Sequence, residues 1–281
     1  MFDPLRSAAP GDCRPSRARA GYQPGPRHWA ERDRSTCRTV PDALTRGPVI
    51  VALAGCYDRP MPELLPRPFR AESIAEFVDS LASAEPVPGG GAASAVAAAL
   101  AAGLVSMVAS LSRGRAKYAP YSATIERGDA EGRRLADRLL ALADADAAAY
   151  EWFGDAMKLP RATDEEKAVR VTAIGEAALH AARVPAEVLR CCREVVEAAE
   201  ALAGRSNQNA ASDLSVAAHL AGAAAHGAAE NVRVNLPFMT DRAAADDLGF
   251  RAEEVLADVD RIARAVRAVV ASGALREPLE G

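Results

Sequence analysis

Apolar residues recur at intervals of three and four over most of this chain, and the places where that rhythm stops mark its element boundaries. Ile74, Phe77, Val78 and Leu81 share one face of a short amphipathic helix. From Ala92 to Ser112 the sequence is apolar all round, built of Ala, Val, Leu and Met, and predicts a buried central helix. That run is long enough to raise the question of a membrane span. Its many alanines, with Ser94, Ser106, Ser110 and Ser112, give little drive for insertion, so the expectation is the core helix of a bundle with no membrane contact. The next helix runs from Ile125 to about Met157, with Leu135, Leu139, Leu142, Tyr150, Phe153 and Met157 as its buried stripe. Leu159-Pro160 ends it, and Thr163-Asp164-Glu165-Glu166 carries helix-start chemistry. Residues 166–203 read as one or two helices, with Pro185 as a kink or first-turn proline. Residues 241–272 read as a last helix whose apolar positions serve packing only. The fold class expected is all-α: a helical bundle around an Ala-rich central helix, spanning residues 69–275.

Residues 1–68 break every period. Prolines punctuate them throughout, among scattered arginines, so this extension is expected to be disordered, with Met61 read as the native start. Leu53-Ala54-Gly55-Cys56 imitates a lipoprotein cleavage site, but the apolar stretch before it is short and far from the first residue, which argues against export.

Carboxylates out of place are the first chemical signal. Asp146 falls on the apolar stripe between Leu142 and Tyr150, where a charge is costly unless it is hydrogen-bonded or functional. Asp137, Asp144 and Glu151 fall opposite, and Asp144 reads as a solvated surface charge. The second signal is Gly204-Arg-Ser-Asn-Gln-Asn-Ala-Ala-Ser-Asp213, where a helix cap needs one polar residue and four stand. In the helix that follows, Asp213, Val216, Ala217, Leu220, Ala224, Ala228 and Asn231 share one side. His219 and His226 lie on the other, about 10 Å apart and unable to share a metal.

The third signal is Pro86-Val-Pro-Gly-Gly-Gly-Ala-Ala-Ser94. The prolines favour extended backbone and the glycines let the main chain turn, feeding a helix N-terminus whose free N–H groups tolerate an anion. Neither a Gly-Lys-Ser/Thr nor a GxGxxG pattern is present, which excludes the common nucleotide loops. Net charge is −4, so nothing global suggests nucleic acid. Lysine occurs only at Lys117, Lys158 and Lys167 beside an excess of arginine and alanine, as in a GC-rich genome. Five cysteines, two of them adjacent and none in CxxC spacing, argue against a disulfide framework or zinc site and for a reducing cytoplasm.

Taken in order, Pro86–Gly91, Arg115-Ala-Lys-Tyr118, Asp146-Ala-Ala-Ala-Tyr150, Val184-Pro185, Asn207-Gln-Asn-Ala-Ala-Ser-Asp213 and Asn231-Val-Arg-Val-Asn235 resemble the motifs of the formiminotransferase-cyclodeaminase family. The resemblance covers about 70–270. Leu159–Lys167 and Cys192–Val196 look most like the stand-alone bacterial methenyltetrahydrofolate cyclohydrolases of that family. Ser206 stands where the family usually has Gly, which bears on the local backbone more than on the chemistry.

The resemblance implies an all-helical homodimer that takes a tetrahydrofolate derivative as substrate, without metal or other cofactor. It implies catalytic roles for Asp146, Asp213 and Lys117. Substrate contacts would come from Pro88, Gly89, Gly90, Gly91, Tyr118, Tyr150, Asn207, Asn209, Ser212, Asn231 and Asn235. Hydrolysis of the cationic methenyl bridge needs an aimed water, a base and a neighbour that tolerates positive charge, and Asp146 or Asp213 suits both jobs. Lys117 and nearby arginines suit the glutamate tail, with or without further glutamates. Two alternatives stand beside the cyclohydrolase: cyclodeamination of formiminotetrahydrofolate, and a folate-binding helical dimer without turnover. The absence of a fused formiminotransferase domain favours the cyclohydrolase.

One further expectation comes from helix geometry. Asn231 lies 18 residues beyond Asp213, roughly 27 Å along a straight helix. Two such helices antiparallel across a two-fold axis bring Asn231 of one chain near Asp213 of the other, giving active sites shared between subunits. A long folate spanning the distance within one chain is the alternative.

Overall fold

Ser73 and Thr163 each begin a helix with a reciprocal capping box. The hydroxyl accepts from the N–H of Glu76 or Glu166, whose carboxylate accepts in return from the cap's own N–H. In the computed structural model, which describes residues 67–279, these are two of six helices. They are α1 (Ile74–Leu81), α2 (Gly90–Ser112), α3 (Ser122–Met157), α4 (Asp164–Leu202), α5 (Ala211–Asn235) and α6 (Arg242–Ser272), with short 3-10 turns between some of them. Among the described residues there is no strand, so the all-α expectation holds. The extension expected at 1–68, but for Arg67 and Pro68, lies outside the described residues.

The central helix is α2, packed on α3, α4 and α5. Small side chains permit close approach. A Cβ on Gly132 of α3 would stand 2.7 Å from the Ser106 nitrogen of α2. Around this Ala-rich contact the larger core side chains come from α3 (Leu135, Leu139), α4 (Leu189, Val195) and α5 (Leu214, Val232). Both α3 and α5 run antiparallel to α2. Gly91 meets Asp146 while Ser106 meets Asp129, and Gly90 meets Asn231 while Ser112 meets Asn207. The length and composition of α2 would allow a membrane crossing, yet 56% of its apolar window is buried in the bundle.

A carboxylate pins the C-terminal end of α2. Asp129 accepts from Ser106 (2.5 Å), Ser110 (3.2 Å), Arg113 (2.6 Å) and Arg133 (3.0 Å). Burial alone would push its carboxyl up, but these donors prevail and hold it at about 2.

Residues 164–202 form one helix that continues through Pro185, one of the two arrangements expected. Two expectations need correction. The glycine run does not stay outside the helix, because α2 already begins at Gly90 and Gly89 is its extended N-cap. The phase of α3 is also different beyond Leu142. Tyr150 is 50% exposed and Met157 is exposed, while the buried face continues through Ala143, Asp144, Ala147 and Ala148. Asp144 is therefore not a surface charge: it is 4% exposed and accepts from the Phe69 N–H at 2.7 Å, anchoring the segment before α1. Beyond Leu142 the buried face of α3 is carried by alanines and Asp144, so the largest side chains do not mark it there.

Candidate functional site

At the N-terminal end of α2, Gly89 is the N-cap and supplies no side-chain cap of its own. Asp146 of α3 lies directly beneath. A Cβ on Gly91 would overlap its carboxylate, so glycine at 91 is what allows the approach. Asp146 is half-buried, and this desolvation pushes its carboxyl up to about 6, against the lowering effect of the Ala92 N–H that donates to it. No cationic side chain figures in that balance. Pro88, behind a cis Val87–Pro88 peptide, is buried at the foot of the turn.

Asn231 faces the same end from α5, its Nδ2 3.7 Å from where a Gly90 Cβ would stand. That amide donates to the Gly227 carbonyl at 2.8 Å, and Asn235 donates to the Asn231 carbonyl at 2.7 Å. Ser94 completes the floor, donating to the Gly90 carbonyl at 2.7 Å in a space that a side chain at Gly227 would close. Tyr150, one turn beyond Asp146, is half-exposed at this end.

The other predicted residues gather at the C-terminal end of α2. Ser112 accepts from the Asn207 N–H at 2.8 Å and donates to the Val108 carbonyl at 2.7 Å, which ties the Asn207 turn to the end of the central helix. Asn207 is buried, and its side-chain oxygen accepts from the Asn209 N–H at 3.1 Å. Tyr118 is buried too, its hydroxyl accepting from the Gln208 N–H at 3.1 Å. Lys117 is exposed, 5.5 Å from the Tyr118 ring centre, and donates to Gln208 Oε1 at 2.6 Å. Ser212 and Asp213 follow in the first turn of α5, where a carboxylate complements the helix dipole. Beside this cluster lies a cavity of about 400 Å³ whose lining includes Arg113, Arg115, Tyr118 and Ile125.

The predicted residues thus form two groups. Gly89–Gly91, Asp146, Tyr150, Asn231 and Asn235 stand at one end of α2; Lys117, Tyr118, Asn207, Asn209, Ser212 and Asp213 stand at the other. The 23 residues of α2 separate them by about 33 Å. Sequence reasoning passed over Ser94, Ser112 and Gln208, which hold these groups in place. Ser94 and Gln208 lay inside stretches already singled out, and Ser112 closes an apolar run, but no local pattern gave any of the three a role. Among the described residues no cluster of His, Cys, Asp or Glu has the grouping of a metal site.

Residues 73–254 match the formiminotransferase-cyclodeaminase family model. The chain is 40% identical over 187 residues to the methenyltetrahydrofolate cyclohydrolase of Methylorubrum extorquens, covering 66% of this chain and 90% of that protein. It is 35% identical over 184 residues to the formimidoyltransferase-cyclodeaminase of Sus scrofa, of which it spans 33%. Among solved structures, the formiminotetrahydrofolate cyclodeaminase of Thermotoga maritima superposes with a TM-score of 0.66 at 29% identity, over 72% of this chain and 98% of that one. With the family model matched over residues 73–254 and a relative 40% identical covered over 90% of its length, the chain belongs to the formiminotransferase-cyclodeaminase family.

Proposed function

We propose that this chain is a methenyltetrahydrofolate cyclohydrolase that converts 5,10-methenyltetrahydrofolate and water to 10-formyltetrahydrofolate. The observation that carries the chemistry is Asp146, a half-buried carboxyl raised to about 6 with no cation of the protein to offset its charge. A cationic methenyl bridge supplies that missing charge. Its arrival favours the carboxylate form and places a base beside the electrophilic carbon. Asp146 takes a proton from water as the water oxygen bonds to the bridging carbon and the C=N electron pair returns to nitrogen. The hydroxyl so formed then gives up its proton and becomes the formyl C=O as the bond from that carbon to the ring nitrogen breaks, that nitrogen takes up a proton, and the formyl group stays on the other nitrogen. One proton is released to solvent per turnover. The 40% identity to a protein named for this activity, over 90% of its length, supports the assignment.

A homodimer completes the site. The outer face of α2 presents Leu100 (56% exposed), Met107 and Leu111, with Val96 and Leu104 partly covered beside them. Such a stripe is self-complementary when two α2 helices pack antiparallel across a two-fold axis. That pairing brings Asp146 and Asn231 of one subunit to Lys117, Asn207 and Asp213 of the other. Folate then spans the junction, its pterin end toward Gly89–Asp146. Its glutamate end, single or extended, lies toward Lys117 and the arginines of the adjoining cavity. Buried, unpaired Cys191 and Cys192 suit a reducing cytoplasm.

The likeness to the Thermotoga maritima cyclodeaminase favours a second reading, release of ammonia from formiminotetrahydrofolate as the ring closes. The two are separated by absorbance, because the methenyl compound is a chromophore. Enzyme-dependent bleaching at neutral pH, with no colour developing from the formimino substrate, supports the cyclohydrolase. Colour developing from the formimino substrate without bleaching of the methenyl compound overturns it.

A further inference from the structure

The C-terminal segment lies across one of the two polar clusters. Helix α6 ends at Gly273, which takes the left-handed conformation at φ +64°, and residues 274–279 return over the turn that carries Asn207. The Arg276 N–H donates to the Gly204 carbonyl at 2.9 Å, and Tyr121 donates to the Arg276 carbonyl at 2.9 Å. The Arg276 guanidinium reaches Glu200 at 2.7 Å. The segment lies so close that a Cβ on Gly204 would stand 2.9 Å from the Ala274 carbonyl oxygen. Arg205, 5% exposed, spends its guanidinium on main-chain carbonyls, at 2.5 Å to Glu277 and 3.2 Å to Ala201. A buried cation held by carbonyls is costly unless the geometry it fixes is wanted.

Gln208 connects this segment to the site. Its Nε2 donates to the Gly273 carbonyl at 3.0 Å, and its Oε1 accepts from Lys117 Nζ at 2.6 Å. Its own N–H donates to Tyr118. The side chain cannot rotate to suit another partner without breaking one of these bonds. Lys117, by contrast, is a long exposed side chain with free rotamers unless something holds it.

We propose that Gly273–Glu277 is a positioning strap for the Asn207–Asn209 turn, and that Gln208, fixed by the strap, sets the place of the Lys117 ammonium. Gln208 and Arg276 are then positioning residues, acting through Lys117 and Asn207. The Lys117 part of this inference rests on the proposed folate site; the strap itself does not.

The test compares KM and kcat for methenyltetrahydrofolate in the full chain and its variants. Gln208 is exposed, so Gln208→Leu is expected to fold. It should raise KM about three- to tenfold with kcat nearly unchanged, the scale of losing one or two hydrogen bonds. Gln208→Glu keeps the contact to Lys117 and should fall between the wild type and Gln208→Leu. In a Lys117→Ala background, Gln208→Leu should add nothing. An unchanged KM in Gln208→Leu, or effects that multiply in the double variant while Lys117→Ala alone raises KM, overturns the positioning role. An unchanged KM in Lys117→Ala instead overturns the assignment of Lys117 to the substrate. Hydrogen exchange then decides the strap alone. In a chain ended at Ser272, amides 207–210 should exchange at least about tenfold faster while those of α2 keep their protection. Unchanged exchange at 207–210 overturns the strap.

Discussion

Asp146→Asn should abolish turnover and raise stability at pH 8. The carboxyl stands at about 6 in the fold against an ordinary 3.8, because burial disfavours its charge. The folded chain therefore binds this proton more tightly than the unfolded chain. The stability it confers is complete below about pH 4, falls as pH rises through about 6, and is absent above. At about 1.4 kcal/mol per pH unit, that loss approaches about 3 kcal/mol as an upper figure. Asparagine is neutral, keeps an oxygen to accept from the Ala92 N–H, and escapes the loss. For a bundle of this size the gain is a Tm higher by about 5 to 10 °C at pH 8, and near zero at pH 4. The assay is thermal unfolding of both proteins at the two pH values, beside the absorbance assay for turnover. A Tm lowered at pH 8 would show that the carboxylate is a structural anchor, and turnover within tenfold of wild type would show that it is not the base. In the wild type the same group should make kcat/KM rise with pH and level off above about 6.

Gly91→Ala forces a methyl group against the Asp146 carboxylate; we expect it to cost about 1 to 3 kcal/mol and most of the activity, as read by unfolding and turnover together. Asp144→Ala leaves the Phe69 N–H without its acceptor, so it should lower stability by about 1 to 3 kcal/mol while kcat/KM changes little, the reverse of the Asp146 result. Between about pH 4 and 2, protonation of Asp129 removes the tie among Ser106, Arg113 and Arg133, and Asp129→Asn should flatten the acid limb of the unfolding profile there.

The helices were legible because apolar periods run through them and breaks such as Leu159-Pro160 separate them; Thr163-Asp-Glu-Glu166 alone fixes the start of α4. The phase within α3 was legible only where leucine carries it. Leu135, Leu139 and Leu142 are buried as expected. Beyond them the contact passes to alanines, Tyr150 turns outward, and Asp144 was misplaced as a consequence. Asp146 was found because a carboxylate among apolar residues needs a reason, but its cause at Gly91 is a contact between helices 55 residues apart, which no local pattern reveals. The same holds for Ser112 with Asn207 and for Gln208 with Gly273. The separation of Asp213 from Asn231 followed from helix rise alone, and the structure extends it to two complete clusters.

Mixed refolding tests the composite site most directly. Asp146→Asn disables one cluster and Asp213→Asn the other, so each homodimer carries two impaired sites. A heterodimer carries one site with both lesions and one with neither. An equal mixture, unfolded and refolded together, is half heterodimer by random pairing, and activity should return to about a quarter of the wild-type value. A mixture shown to contain heterodimers but no more active than its parents would contradict a site built from two subunits.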